Sequence, residues 1–266
     1  MNRALRTLLL IAAALLNGCT ATAQQKPESA STRLATAEAM FAERCKSAGV
    51  FIHRTAENVE GVFLLKVRPR NVDPDFDDQF QLNDPYGHDS GGDGYIETFV
   101  RGSFWANNKG SLSPGSPQYL GYRYVDAVDP KDGKRYRYTG RIDQPWLRDK
   151  RYGEWVREFV LDKTPAPNPA SRYGVTYEDI STPAEREYWI AGSSLKVIDL
   201  KTNEIMAERI GYMMDGGQGN NSGGRKPWLS AADNACPEFA PQHGFTAQRR
   251  QTQAFVESVL KPKQEN

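Results

Sequence analysis

Residues 198–208 read IDLKTNEIMAE, and residues 128–138 read VDPKDGKRYRY. Both pass from an alternating apolar run into Asp-x-Lys-x, then into Asn203 or Gly133, then into a second run. An aspartate at the head of such a turn accepts hydrogen bonds from backbone amides just beyond it. Asn and Gly most readily take the left-handed conformation that closes it. The pattern predicts two β-hairpins with loops of about three to five residues. Their separation of about seventy residues is slight support for a duplicated module, because such turns recur in unrelated chains.

Outward from the hairpins, short runs rich in aromatic and β-branched residues read as strands. They are VFIHRTA (50–56), GVFLLKVRP (61–69), YIETFVRG (95–102), QYLGYRYVDAVD (118–129), KRYRYTGRI (134–142) and EWVREFVLD (154–162). YGVTYEDIS (173–181), REYWIAG (186–192), SLKVIDL (194–200) and EIMAERIGYMM (204–214) follow. Helical spacing shows only near the ends. Leu34, Phe41 and Cys45 share a stripe that Gly49 would stop, and Phe255 and Val259 stand four apart near the C-terminus. The expected fold is α+β: a β-rich antiparallel-sheet body, one domain over 32–266, with an N-terminal and a C-terminal helix. Net charge is +1 and charged residues are 25% of the chain, without a basic stripe, which argues against nucleic acid as a partner.

The N-terminus carries Arg3 and Arg6 before an apolar run from Leu8 to Leu16. That run is too short to span a bilayer, which takes roughly 20 apolar residues, and fits a secretory leader. Leu16-Asn17-Gly18-Cys19 resembles a bacterial lipobox, with residues 1–18 as signal peptide and Cys19 acylated. An ordinary cleavage after Ala21 or Ala23 is the alternative. Thr20 in place of an aspartate is similar to lipoproteins sorted to the outer membrane, so the expected location is its periplasmic side, with the lipid as the sole membrane contact. Residues 19–31, polar and small, read as a flexible tether. In that oxidising compartment Cys45 and Cys236 form the even pair left over, and a Cys45–Cys236 disulfide is expected, two separate buried thiols being the alternative. With no C-x-x-C and only His53, His88 and His243, no zinc site is expected.

Residues 71–94, NVDPDFDDQFQLNDPYGHDSGGDG, hold seven aspartates and no Lys or Arg. Asp73, Asp75 and Asp77 begin a calcium-loop spacing, but Asp78 stands where glycine is required and Asp84 where a glutamate closes the loop. No metal or other cofactor is therefore expected. A solvated loop or an acidic surface for a basic partner remain, and such charges need compensation from a cation, the protein's own arginines or a partner. DGGQGNNSGGRKP (215–227) lacks the elements of a phosphate loop and reads as a freely moving loop, a wrap over an edge strand, or an insertion finger. Candidate partner contacts are Asp75, Asp77, Asp78, Asp89, Asp93, Asn220 and Asn221. The Tyr/Arg run predicts Tyr122 and Tyr124 on one face, repeated by Tyr136 and Tyr138, either as core or as an interface. Asp89-Ser90-Gly91-Gly92 is similar to the stretch around a serine-protease nucleophile, but His53 lacks the surroundings of the base. No nucleophile, base and orienting group assemble, so no catalytic residues are assigned and a non-enzymatic protein is expected.

ERCKSAGVFIHRTAENVEGVFLLKVRP (43–69), YGVTYEDISTPAEREYWIAGSSLKVIDLKTNEIMAERIGYMMDGGQG (173–219) and RKPWLSAADNACP (225–237) resemble a family of proteobacterial lipoproteins. The resemblance runs from about Glu43 to Val259 and includes both Cys45 and Cys236. It implies a periplasmic immunity protein that binds and blocks a phospholipase effector of the type VI secretion system. It supplies no catalytic residues. The alternatives are an envelope-maintenance lipoprotein binding peptidoglycan or another envelope component, and a hydrolase whose carboxylates converge only in the fold.

Overall fold

The computed structural model describes residues 28–70, 76–80, 84–87, 90–107, 121–239, 248 and 251–263. The leader, Cys19, Asp73, Asp75, His88, Asp89 and His243 lie outside the described residues. The chain opens with α1 (Ala30–Cys45), β1 (Gly49–Ile52), β2 (Ala56–Val59), β3 (Gly61–Leu64) and α2 (Asp93–Asn107). It continues through β4 (Tyr124–Val128), β5 (Arg135–Asp143), β6 (Glu158–Pro165), β7 (Tyr173–Asp179), α3 (Pro183–Glu187), β8 (Ile190–Asp199) and β9 (Glu204–Met214). It ends with α4 (Pro227–Ser230), β10 (Ala235–Cys236), α5 (Gln251–Val259) and β11 (Leu260–Pro262). Ser29 caps α1 by accepting the Thr32 amide, so the helix begins two residues inside the predicted tether.

Among the described residues, nine strands make one sheet in the order β1-β9-β8-β7-β3-β4-β5-β6, with β10 paired to β9 beyond β1. The sheet is antiparallel except that β3 runs parallel to both β4 and β7; β2 and β11 form a separate parallel pair. The fold is thus the expected α+β class, with its longest ladder in the β8–β9 hairpin.

Both hairpin turns close as their chemistry predicts. Asn203 has φ 59° and Gly133 φ 69°, and their amides donate to the Asp199 and Asp129 carbonyls at 2.7 and 2.9 Å. Each aspartate side chain accepts the amide two residues on, from Lys201 and from Lys131. In the β8–β9 ladder the register slips between Val197 and Ile198, leaving Met206 as a bulge. The Met206 carbonyl accepts the His53 and Arg54 amides at 2.9 and 3.1 Å, which ends β1 at that level.

Alternation along the strands sorts the core onto two faces. One face carries Val62, Leu64, Val125, Ala127, Tyr138, Val175, Tyr177, Leu195 and Val197, covered by Tyr95, Ile96, Phe99 and Val100 of α2 and Phe255, Val256 and Val259 of α5. On the other, Ala37 of α1, with Leu34, Met40 and Phe41 beside it, covers Ile190, Tyr212 and Met214.

Three expectations are corrected. YIETFVRG belongs to helix α2, because its buried residues 95, 96, 99 and 100 follow helical spacing and the apolar face has a sheet to cover. REYWIAG is the end of α3 and the start of β8: the Thr182–Glu185 capping box starts a helix, and Trp189 at φ 54° turns into the strand. Tyr122 and Tyr124 do not share a face, since the strand begins only at Tyr124. Tyr122 is buried and donates to the Leu260 carbonyl at 2.6 Å, whereas Tyr124 lies on the opposite face under Arg137, whose guanidinium stands 3.6 Å from its ring centre.

Cys45, at the end of α1, and Cys236, in β10, bring their sulfurs to 2.02 Å, which is disulfide distance, across 191 residues of chain. In the chain-entropy model a closure of that length contributes about 5 kcal/mol. Cys45→Ser is expected to lower the unfolding free energy measured in urea by most of that amount, and thiol reductant to destabilise the native chain but not the variant.

A second prediction concerns pH. Hydrogen bonds from Arg172, the Lys201 amide and Arg54 hold the fully buried Asp199 carboxyl down at about 2, against burial, which pushes it up. A carboxyl depressed in the folded state stabilises fully above its ordinary value near ~4 and loses that contribution as pH falls through the folded value. Urea midpoints measured against pH are therefore expected to fall steeply below pH ~4, and to fall less steeply in Asp199→Asn, which starts from a lower plateau.

Candidate functional site

The glycine-rich stretch after β9 is built around one carboxylate. Asp215, with a fully buried side chain, accepts the Gly217 amide at 3.0 Å and the Gly219 amide at 2.8 Å. Arg225, from the far end of the loop, closes on both carboxylate oxygens. Its hydrogen bonds to Asp215 raise the Arg225 pKa above the ordinary guanidinium value. Gln218 donates to the Tyr188 carbonyl at 2.9 Å. Gly219, at φ +83°, lies on the Trp189 indole, where a Cβ would come within 2.5 Å. Trp189 packs on Trp228 with ring centres 5.0 Å apart, and Arg186 stands over Trp228 at 5.0 Å. The loop is therefore pinned to the sheet rather than freely moving.

The acidic excursion docks onto this pinned loop. Trp228 donates its backbone amide to the Phe76 carbonyl at 3.1 Å and its indole N–H to the Asp78 carbonyl at 2.9 Å. Asn221 Nδ2 reaches Asp77 Oδ2 at 3.4 Å. Gln79 crosses to the Arg186 and Glu187 carbonyls. Candidate contacts about 140 residues apart in sequence, Asp77 and Asp78 with Asn220 and Asn221, thus share one surface. Asp77, Asn220 and Asn221 are exposed.

Two other aspartates of the excursion take different roles. Asp84 is buried and paired with Arg68 at 2.6 Å, so one charge of the run is answered by the protein's own arginine. Asp93, a candidate contact, opens α2 and lines a separate cleft of about 610 Å³ with Arg70, Asp129, Lys131, Tyr138 and Lys163. Asp75 and Asp89 are outside the described residues, as is Asp73 of the calcium-like spacing, whereas Asp77, Asp78 and Asp84 are described. Among the described residues, no three His, Cys, Asp or Glu side chains cluster to hold a metal ion, and His53 is exposed. No described helix is long and apolar enough to cross a membrane.

Sequence reasoning missed the residues that make the surface rigid: Trp189, Asp215, Arg225 and Trp228. The available signal was Asp215-Gly216-Gly217, an acceptor followed by residues free to wrap their amides around it. No protein-family model matches the chain, and neither a curated protein nor a solved structure shows significant similarity to it.

Removing the carboxylate of Asp215 would leave two amides and a partly buried guanidinium without their acceptor. Asp215→Ala is expected to destabilise by about 3 kcal/mol and to weaken the near-ultraviolet dichroism of the Trp189–Trp228 pair. Chemical denaturation and near-ultraviolet spectra check both.

Proposed function

We propose that this chain is a lipid-anchored protein of the periplasmic face of the outer membrane that works by binding a protein partner rather than by catalysis. The surface shared by the acidic excursion and the glycine-rich loop carries the reading. Residues 76–80 and 215–228 are already held to each other and to the sheet by hydrogen bonds, so little conformational entropy is lost there on association. The exposed polar groups of this surface include the Asp77 carboxylate and the Asn220 and Asn221 amides, beside the exposed Phe80 ring, suited to a basic or hydrogen-bonding counterface with an apolar contact. Cys45 and Cys236 at disulfide distance agree with an oxidising compartment, and the Leu16-Asn17-Gly18-Cys19 junction supports acylation at Cys19. The partner we favour, from the family resemblance, is a secreted phospholipase that the chain neutralises. A tether at the membrane would concentrate the inhibitor where such an enzyme acts.

The test pairs the full chain with any phospholipase encoded beside its gene. A stable complex and loss of lipase activity are expected, and Asp77→Arg combined with Asn221→Arg is expected to raise the Kd roughly tenfold or more. Globomycin is expected to block maturation, and Cys19→Ser to remove the acyl chains seen by mass spectrometry. Retention on purified sacculi, without complex formation, would favour the envelope-maintenance reading.

A further inference from the structure

The connection between β5 and β6, residues 144–157, reads QPWLRDKRYGEWVR. It is folded by successive turns: the Arg148 and Asp149 amides donate to the Pro145 carbonyl, Tyr152 to Asp149 and Val156 to Gly153. Half-buried Trp146 lies at its base, with Lys150 and Arg157 at 5.4 and 5.9 Å from its ring centre. Yet its other large apolar side chains face outward. Trp155 is 83% exposed, Leu147 61% and Tyr152 45%. Gly153 permits this placement, because a Cβ there would come within 2.4 Å of the Trp155 indole nitrogen. Around them stand Arg148, Lys150, Arg151 and Arg157 against Asp149 and Glu154, a net +2 over the fourteen residues. Arg148 pairs with Asp143 and Arg151 with Asp149, so among the described residues Lys150 and Arg157 are the loop cations without an ion pair.

From this loop we infer a membrane-contact site: the Trp155 loop enters the headgroup layer of an anionic bilayer. Trp and Tyr rings settle at the depth where an apolar body and a polar edge are both satisfied, and leucine goes deeper. Lysine and arginine beside them meet lipid phosphates, and this charge match selects the anionic surface as occupant. The loop adjoins β6, one edge of the sheet, whereas α1, which receives the tether, packs at the opposite end on β8 and β9. At about 4.8 Å per strand the two edges are roughly 30 Å apart. Two attachments that far apart would fix how the body sits on the membrane, which a single flexible tether cannot do. The contact builds on the anchored reading for its encounter with the membrane. Acylation is read independently from the mass of the N-terminal peptide, so either idea can fail alone.

The experiment compares the full-length chain with Trp155→Phe, both reconstituted into phosphatidylglycerol-containing vesicles and into pure phosphatidylcholine vesicles. The chain has five tryptophans, and the difference in emission between the two proteins isolates Trp155. In anionic vesicles the Trp155 emission is expected to shift to the blue, to be quenched by chain-brominated lipid, and to lose at least half its quenching by aqueous acrylamide. Lys150→Glu with Arg151→Glu is expected to reverse these changes. Trp155 emission that stays open to acrylamide and blind to brominated lipid in anionic vesicles would overturn the inference. So would shielding that appears without vesicles as protein concentration rises, since a second copy would then cover the loop.

Discussion

The β8–β9 hairpin depends on the Asp199 carboxylate, and much of the sheet depends on that hairpin. That carboxylate accepts the Lys201 amide, grips Arg172 before β7 and receives Arg54 after β1, while the Asp199 carbonyl accepts the Asn203 amide. One buried group therefore joins the turn to the strand on either side of it. The register it sets sends Leu195 and Val197 toward α2 and α5, and Ile190 and Tyr212 toward α1. A slip by one residue would exchange those faces and leave both helical layers without a floor.

The same device recurs at several places among the described residues. Asp126, buried in β4, takes both arms of Arg137 at 2.8 and 2.9 Å and the Ser171 amide and hydroxyl at 3.0 and 2.8 Å. Burial pushes its carboxyl up, but the hydrogen bonds from Arg137 and Ser171 outweigh that and hold it below the usual range. Asp84 binds Arg68, Asp179 binds Arg186, Glu185 binds Arg44 and Asp215 binds Arg225. Each pair has at least one buried partner, and breaking it leaves that charge or amide stranded. They act as positional locks, and loops held this way can present side chains to a partner without first becoming ordered.

Function would then be divided over the edges of one sheet. Near β9, the excursion and the pinned loop offer acidic and amide groups from a rigid frame; beside β6, the Trp155 loop offers aromatic and basic ones. The two surfaces are chemically opposite.

Local chemistry was enough to predict the parts whose structure is decided within a few residues. Asp199 with Asn203, and Asp129 with Gly133, specify their turns because acceptor, amides and left-handed residue are adjacent in the chain. The terminal helices and the Cys45–Cys236 pairing were legible for similar reasons, from spacing and from cysteine number. Residues 95–102 were misread because their aromatic and branched side chains suit either state, and only the sheet surface they cover selects the helical spacing of Tyr95, Ile96, Phe99 and Val100. Tyr122 and Tyr124 separate because the chain bends before β4, where Arg123 and Tyr124 both donate to the Glu60 carbonyl. Of the candidate contacts, Asp77, Asp78, Asn220 and Asn221 converge through Trp228 and Asp93 does not. That depends on contacts across about 140 residues of chain, and no local pattern encodes which distant indole will meet which carbonyl.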